Sequence, residues 1–233
     1  VMSDNGASQE GGPKGFVNAM GPYNGIHEST GDRVARLDDI GGPDTHSNFP
    51  LGWAMVANTP LKRYKQNTHG GGVRDPLVVS WPRGITDHGG LRHQFAHVSD
   101  VVPTLLDVLE VDPPDSVGGV NQQPLEGMSF LSTFSDAAAD TGKRAQYFEM
   151  FSHRGIYLDG WKAVAFHERG SAIDDDVWEL YDLTSDFNEN YDLAEAEPER
   201  LDAMIDEWWR EAEAHQVLPL DDRFAERFAE NAA

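Results

Sequence analysis

Residues with the means for chemistry stand at two places in this sequence. At the start, Met2-Ser3-Asp4-Asn5-Gly6 runs an apolar pair into a carboxylate, an amide and a glycine. This predicts the last step of a buried strand opening into a turn, with two oxygen-bearing side chains at its end. Adjacent Asp and Asn oxygens suit a hard cation such as Ca²⁺ or Mg²⁺, and open α/β sheets bind ligands beyond the carboxyl ends of their strands. The same residues also make an ordinary turn, because all of them tolerate tight turn geometry. Further on, Lys62, Lys65 and His69 lie close together, three potential cations in an otherwise acidic chain. They could hold an anion or form a solvated basic face.

The elements that must position these groups follow from local patterns. Asn58 or Thr59 serves as an N-cap, Pro60 suits the first helical position and Gly70-Gly71-Gly72 ends the segment, which predicts a helix over 60–69. Leu61, Tyr64 and Thr68 would form its apolar face. Val73 to Pro82 carries a continuous apolar run, the pattern of a strand covered on both faces. A helix over 99–109 follows, capped by Ser99, with Val102, Leu105, Leu106 and Leu109 as its buried stripe. Strand then helix at short range is the grammar of an α/β domain. Residues 6–49 form a long loop rich in Gly, Asn, Pro, Asp and Ser, in which His27, Glu28 and His46 either line a pocket or meet water.

The pattern changes near Thr141, so residues 1–141 are expected to form one α/β part and 142–233 a smaller one. Tyr147–Phe151, Gly155–Leu158, Trp161–Phe166 and Trp178–Leu183 predict short strands of an antiparallel sheet, with Asp159-Gly160 as a hairpin turn. Glu195 to His215 predicts a closing amphipathic helix with Leu201, Met204, Ile205, Trp208 and Trp209 inward. The Asp174-Asp175-Asp176 run reads as a solvated face. Residues after Leu220 read as a charged tail.

Bulk composition narrows the function. Lys and Arg number 18 against 40 Asp and Glu, a formal charge of −22 over 233 residues. Such a field repels nucleic-acid phosphates and anionic membrane surfaces, so neither is expected as a partner. It leaves an anionic small molecule possible, because a local cation sets the potential inside a pocket. There is no cysteine, hence no disulfide and no thiolate metal site. Only Val1 and Met2 precede the Ser-Asp-Asn-Gly turn, too few for a central strand, so the chain is expected to be the C-terminal part of something longer.

Five blocks in order carry a family resemblance: Ser-Asp-Asn-Gly at 3–6, Tyr-Lys with Gly-Gly downstream at 64–72, and Val-Pro-Thr-Leu-Leu-Asp at 102–107. Asp-Gly-Trp-Lys at 159–162 and Leu-Tyr-Asp-Leu at 180–183 complete them, the last followed by Asp186, Glu189 and Asp192-Leu193-Ala194. From Ser3 to about Val217 the chain resembles sulfatases, and bacterial arylsulfatases most closely. The resemblance implies an alkaline-phosphatase-like α/β core with a small C-terminal subdomain of antiparallel strands and a helix. It implies Ca²⁺ held by Asp4 and Asn5 together with two acidic residues of an N-terminal half, and a formylglycine nucleophile made from a Cys/Ser-x-Pro/Ala-x-Arg motif. Lys65 matches a lysine that binds a sulfate oxygen, and Asp4 by the same match takes the proton of the attacking hydroxyl. His69 stands where relatives carry a histidine, which gives it a place near the substrate, although the residue after it is Gly70 rather than the more usual Glu. Lys62 is expected to face solvent. The nucleophile motif, the N-terminal acidic ligands and the leaving-group histidine have no counterpart in these residues. The implied substrate is a small sulfate ester. A phosphonate or phosphodiester hydrolase on the same scaffold and a non-catalytic binding remnant are the alternatives.

Overall fold

A computed structural model describes residues 1–2 and 5–223; Asp4 and the end of the charged tail lie outside the described residues. Short 3-10 turns aside, the element order is α1 Thr30–Ala35, α2 Leu51–Asn58, α3 Gly70–Val73, α4 Val101–Leu109, β1 Ser116–Val117, β2 Val120–Asn121, β3 Ala145–Met150, β4 His153–Leu158, β5 Trp161–Ala165, β6 Trp178–Asp182 and α5 Pro198–Ala214. The mixture of helices with antiparallel sheet bears out the α/β class. None of the described helices is long and apolar enough to cross a membrane.

The chain divides into two compact units. One holds Val1 with 78–146, the other residues 2–77 with 147 onward. The divisions fall between Leu77 and Val78 and between Gln146 and Tyr147. Residues 2–77 group with the sheet rather than with 78–146.

The larger unit is built around the sheet, ordered β3-β4-β5-β6. Asp159 and Gly160 both take positive φ, 47° and 87°, as a type I′ turn requires, and set the register Leu158 opposite Trp161. Strand alternation then sorts the side chains by face. Ile156, Ala163 and Leu180 share one rung and pack with Met204, Trp208 and Ala212 of α5 in the core. Those helix positions recur at the three-to-four residue spacing that the sequence shows. The Trp208 indole N–H donates to the Phe148 carbonyl at 3.1 Å, so its one polar atom is satisfied within the core. Asp192 and Leu193 hydrogen-bond the Leu180 backbone and cover the outer edge of β6.

The opposite face of the sheet receives residues 62–73. A side-chain carbon on Gly155 would stand 2.9 Å from the Thr68 Cβ, so glycine permits the close approach. Thr68 donates to the Arg154 carbonyl at 2.8 Å. Beside it, Glu189 accepts the Gly70 N–H with both carboxylate oxygens at 3.0 Å and the Lys162 ammonium at 2.6 Å. Burial pushes the Lys162 pKa down while Glu189 opposes the shift.

Three expectations about secondary structure are corrected. The helix expected over 60–69 is absent: residues 59–69 are turns, and the helix α2 precedes them. Positive φ at Arg63 (64°) and Gln66 (75°) is incompatible with α-helix, and Asn58 binds the Arg63 carbonyl that a helix would use. The run 73–82 forms no extended strand. Leu77 makes a single antiparallel bridge with Met2, Val78 exchanges hydrogen bonds with Val1, and Leu77, Val78 and Val79 stay exposed. A two-faced strand needs neighbours on both edges and covers on both faces; among the described residues this run has a short neighbour on one edge and stays exposed. In α4 the stripe expected to be buried faces outward, with Val102, Leu105 and Leu109 at 50%, 54% and 67% exposure. The inward face is set instead by Thr104, which donates to the Asp100 carbonyl and accepts the Phe130 N–H. Asp100 ties this smaller unit together by accepting from Lys143, Met128 and His97 at 2.7–2.9 Å.

A fourth correction concerns 6–49, expected as loop throughout: it contains α1, whose N-cap Ser29 accepts the Asp32 N–H while Asp32 accepts the Ser29 N–H, and the rest is ordered by its own polar groups. Phe16 bridges to Asn48 and Asn18 to His46, while Glu28 accepts the Val17 and Asn18 N–H groups. Glu28 is thereby a loop staple, and His27 and His46 are exposed.

Replacing Glu189 by Ala is expected to destabilise the chain by about 3–5 kcal/mol, because it strands a buried ammonium and a buried N–H. Urea midpoints with unchanged slope measure it, and a loss under about 1 kcal/mol would contradict the account. A second expectation concerns His153, whose Nδ1 accepts the His167 N–H at 3.0 Å and whose ring stacks on Phe166 at 4.5 Å. Burial, then the Arg63 cation, pushes its pKa from 6.5 down to about 4. The folded ring stays neutral where the unfolded chain takes up a proton, so this contribution is present above pH 6.5 and lost as the pH falls toward 4. His153→Gln should therefore show a shallower fall in stability than the wild type between pH 6.5 and 4. Parallel slopes in denaturation series across that window would refute this.

Candidate active site

The C-terminal residue of α2 organises the site. The Asn58 carboxamide accepts the Ala7 N–H at 3.1 Å and donates to the carbonyls of Arg63 at 3.0 Å and Gly71 at 2.9 Å. Lys65 N–H donates to the Ala7 carbonyl at 3.2 Å. Gly6, at φ 89°, lies against the same segment: a Cβ there would stand 2.1 Å from the Gly71 oxygen and 2.9 Å from the Lys65 nitrogen. Only glycine fits, so the turn that follows Asn5 is pressed onto the backbone of Lys65. The two regions singled out in the sequence are thus brought together through their main chains.

Of the expected metal ligands, Asn5 is exposed and Asp4 lies outside the described residues. No group of three His, Asp or Glu side chains arranged to hold a metal ion is found among the described residues. The Asn5 amide oxygen is a donor of the kind a hard cation takes, on a backbone that Gly6 holds in place. Since Ca²⁺ takes 6–8 oxygens, Asp4 and Asn5 together fit part of such a coordination shell and not the whole of it.

The Lys65 ammonium pairs with Glu10 at 2.9 Å, with the two side chains 30% and 36% exposed. Gln66 donates to the same Glu10 oxygen at 3.2 Å, and Ser8 to the other at 2.9 Å. Burial raises the Glu10 pKa, but the hydrogen bonds from Lys65, Ser8 and Gln66 outweigh it and hold the carboxyl below its ordinary value.

His69 is placed differently. It is 1% exposed, at the N-cap of α3, and its Nε2 lies 3.2 Å from Glu179. Burial lowers its pKa more than Glu179 raises it, so the ring is neutral at neutral pH and donates from Nε2, a tautomer assigned from its partner. The side chain of Lys62, expected to face solvent, is 37% exposed, but its ammonium is not left to water. Its ammonium is held by Glu179 and the Tyr181 hydroxyl, both at 2.7 Å, and Tyr181 in turn donates to Glu179. His69, opposed by burial and joined by Lys62 and Tyr181, holds the Glu179 carboxyl well below the carboxylate range. Burial and then Glu179 push the Tyr181 hydroxyl up. Lys62 is consumed because an alternating strand places Glu179 and Tyr181 on the face that meets it. That alternation in Trp178-Glu179-Leu180-Tyr181 was the available signal for Glu179 as a partner. Glu10 carried no such signal, since it sits among loop glycines.

Known proteins resemble this chain over most of its length. The family model described as N-sulphoglucosamine sulphohydrolase, C-terminal, matches residues 62–214, and the Sulfatase model matches residues 1–111. An uncharacterised sulfatase of Schizosaccharomyces pombe is 29% identical over 195 residues, covering 82% of this chain and 34% of that protein. Human arylsulfatase A is 30% identical over 165 residues, covering 62% of this chain and 31% of its own. The arylsulfatase of Klebsiella aerogenes is 34% identical over 141 residues, covering 58% and 27%. Among solved structures, Ps i-CgsB superposes with a TM-score of 0.55 at 20% identity, over 73% of this chain and 36% of that one, a likeness of fold. The chain spans about a third of the length of these curated relatives. With the C-terminal model covering both the 62–73 segment and the sheet that anchors it, the chain belongs to the sulfatase family.

Proposed function

We propose that these residues form the C-terminal portion of a sulfuric ester hydrolase of the arylsulfatase type, acting on a small-molecule sulfate ester. The observation that carries the reading is the fixing of Lys65 against the Asn5-Gly6 turn, with a partly exposed ammonium, paired to a loop carboxylate, at the end of a held backbone. A sulfate ester presents several oxygens whose charge must be held while the ester oxygen leaves. Lys65 supplies a compact point charge for one of them, at a fixed place and with little reorganisation. Asp4 and Asn5 would hold Ca²⁺ together with ligands from outside these residues, and the ion would stabilise charge on the same oxygens. Asp4 also accepts a proton at its carboxylate when the nucleophile attacks. The nucleophile is a formylglycine from a segment these residues do not contain. His69 serves by anchorage: neutral and bound to Glu179, it fixes the segment that carries Lys65.

Two measurements test the reading. The purified 233 residues should not turn over 4-nitrophenyl sulfate, because they contain no Cys/Ser-x-Pro/Ala-x-Arg motif; hydrolysis above the uncatalysed rate would overturn the assignment of the nucleophile. In a polypeptide that joins these residues to such a motif, Lys65→Met should lower kcat/KM for the aryl sulfate about 10²-fold or more, with Lys65→Arg failing to restore it. Lys62→Met should instead lower the denaturation midpoint. Equal losses of kcat/KM from both lysines, with unchanged midpoints, would refute the division of labour.

A further inference from the structure

The surroundings of Lys65 contain more than a lysine. Ser8 Oγ, Lys65 Nζ and Gln66 Nε2 all donate to one carboxylate, that of Glu10, at 2.9, 2.9 and 3.2 Å. Gln66 is turned for this. Its backbone is left-handed at φ 75°, rare outside glycine, and its side-chain oxygen accepts from Gln9 at 2.6 Å, which leaves its NH₂ for Glu10. The backbone of Lys65 is meanwhile held by Ala7. Three donors from two separated stretches, one of them on a strained backbone, converge on a single anionic group. A carboxylate shares its charge and its acceptor-only oxygens with a sulfate monoester.

We infer that Ser8, Lys65 and Gln66 together form an oxyanion cradle and that the Glu10 carboxylate is its built-in occupant, which a sulfate group displaces on binding. The inference rests on the reading of Lys65 as the sulfate lysine, and adds two residues and an internal competitor to it. Glu10 keeps the ammonium partnered and the cradle assembled when no substrate is present. It also sets a threshold: a weakly held monoanion does not displace it, and an anion with more acceptor oxygens or additional contacts does. Ser8 and Gln66, neutral donors, then contact the arriving sulfate beside the lysine.

The test is titration of the 233-residue chain with sodium sulfate at constant ionic strength, chloride compensating, followed by the NMR shifts of ¹³Cε-labelled lysines. Glu10→Gln should bind sulfate about two- to fivefold more tightly than wild type, the range expected for release of a partly exposed ion pair. Glu199→Gln, an exposed change of the same charge on α5, serves as the control and should not. Lys65→Met should abolish the gain, and Gln66→Ala in the Glu10→Gln background should reduce it. Glu10 is a loop residue on the surface, so a change in its far-ultraviolet circular dichroism is not expected and would be seen. If wild type shows Lys65-dependent binding but Glu10→Gln adds nothing beyond Glu199→Gln, the internal competitor is overturned and the sulfate lysine stands. If no variant binds sulfate through Lys65, both are overturned.

Discussion

Everything near the candidate site depends on a buried carboxylate, Glu189, that holds two unlike donors at once. It takes the Gly70 N–H with both oxygens and the Lys162 ammonium with one, so a charge carried out of water is matched on both sides. Buried pairs of this kind add little net stability compared with apolar packing, yet losing one partner is costly. The consequence is positional. The segment 62–73 cannot slide along the sheet without stripping the Gly70 N–H or the Lys162 ammonium of its acceptor. Thr68 on the Arg154 carbonyl and His69 on Glu179 fix the same segment at neighbouring points. Lys65 inherits that fixed backbone, and its ammonium reaches a loop carboxylate, Glu10, instead of the sheet.

The same logic separates the two lysines that looked alike. Lys62 and Lys65 both stand in an acidic chain, and composition alone could not divide them. Lys62 falls opposite a strand whose alternation offers a carboxylate and a phenol, so it is spent on anchoring. Lys65 falls beyond the sheet, where its partner is a loop carboxylate with more than a third of its surface in water. An exposed pair of that kind is worth little and exchanges readily. One ammonium is therefore tied to the sheet and the other to a loop, though the net charge of −22 surrounds both.

Local signals in the sequence reached the sheet and failed at the loop. The Asp159-Gly160 hairpin and the inner face of α5 were legible because each is decided by a few adjacent residues: two positive φ values in one case, a regular apolar spacing in the other. The residues around Lys65 obey no period. Capping and glycine signals pointed to a helix over 60–69, but the backbone there is set by Asn58, which reaches three carbonyl and amide groups distant in sequence. Such long-range polar contacts override helix signals, as Arg63 and Gln66 show by adopting left-handed φ. The apolar run at 77–79 and the stripe on α4 failed for another reason. Their hydrophobicity was read correctly, but burial needs a covering partner, and the described residues provide none over them.

The resemblance placed Asn5 and Lys65 in one site without saying what joins them, and the joint is two glycines and an amide. Gly6 allows the Asn5 turn to touch the Gly71 carbonyl and the Lys65 nitrogen, Gly71 allows its own backbone to lie against Arg63 and Lys62, and Asn58 closes the set. A Cβ at Gly6 would push the Asn5 turn away from the lysine segment, and one at Gly71 would disturb the fold of that segment itself. The placement of the position 5 backbone against that of position 65 is thus governed by residues with no charge of their own. On the proposed reading, which sets a divalent cation and an ammonium around one sulfate group, the close backbone contact matters as much as the charged groups themselves, because it keeps two like charges from relaxing apart.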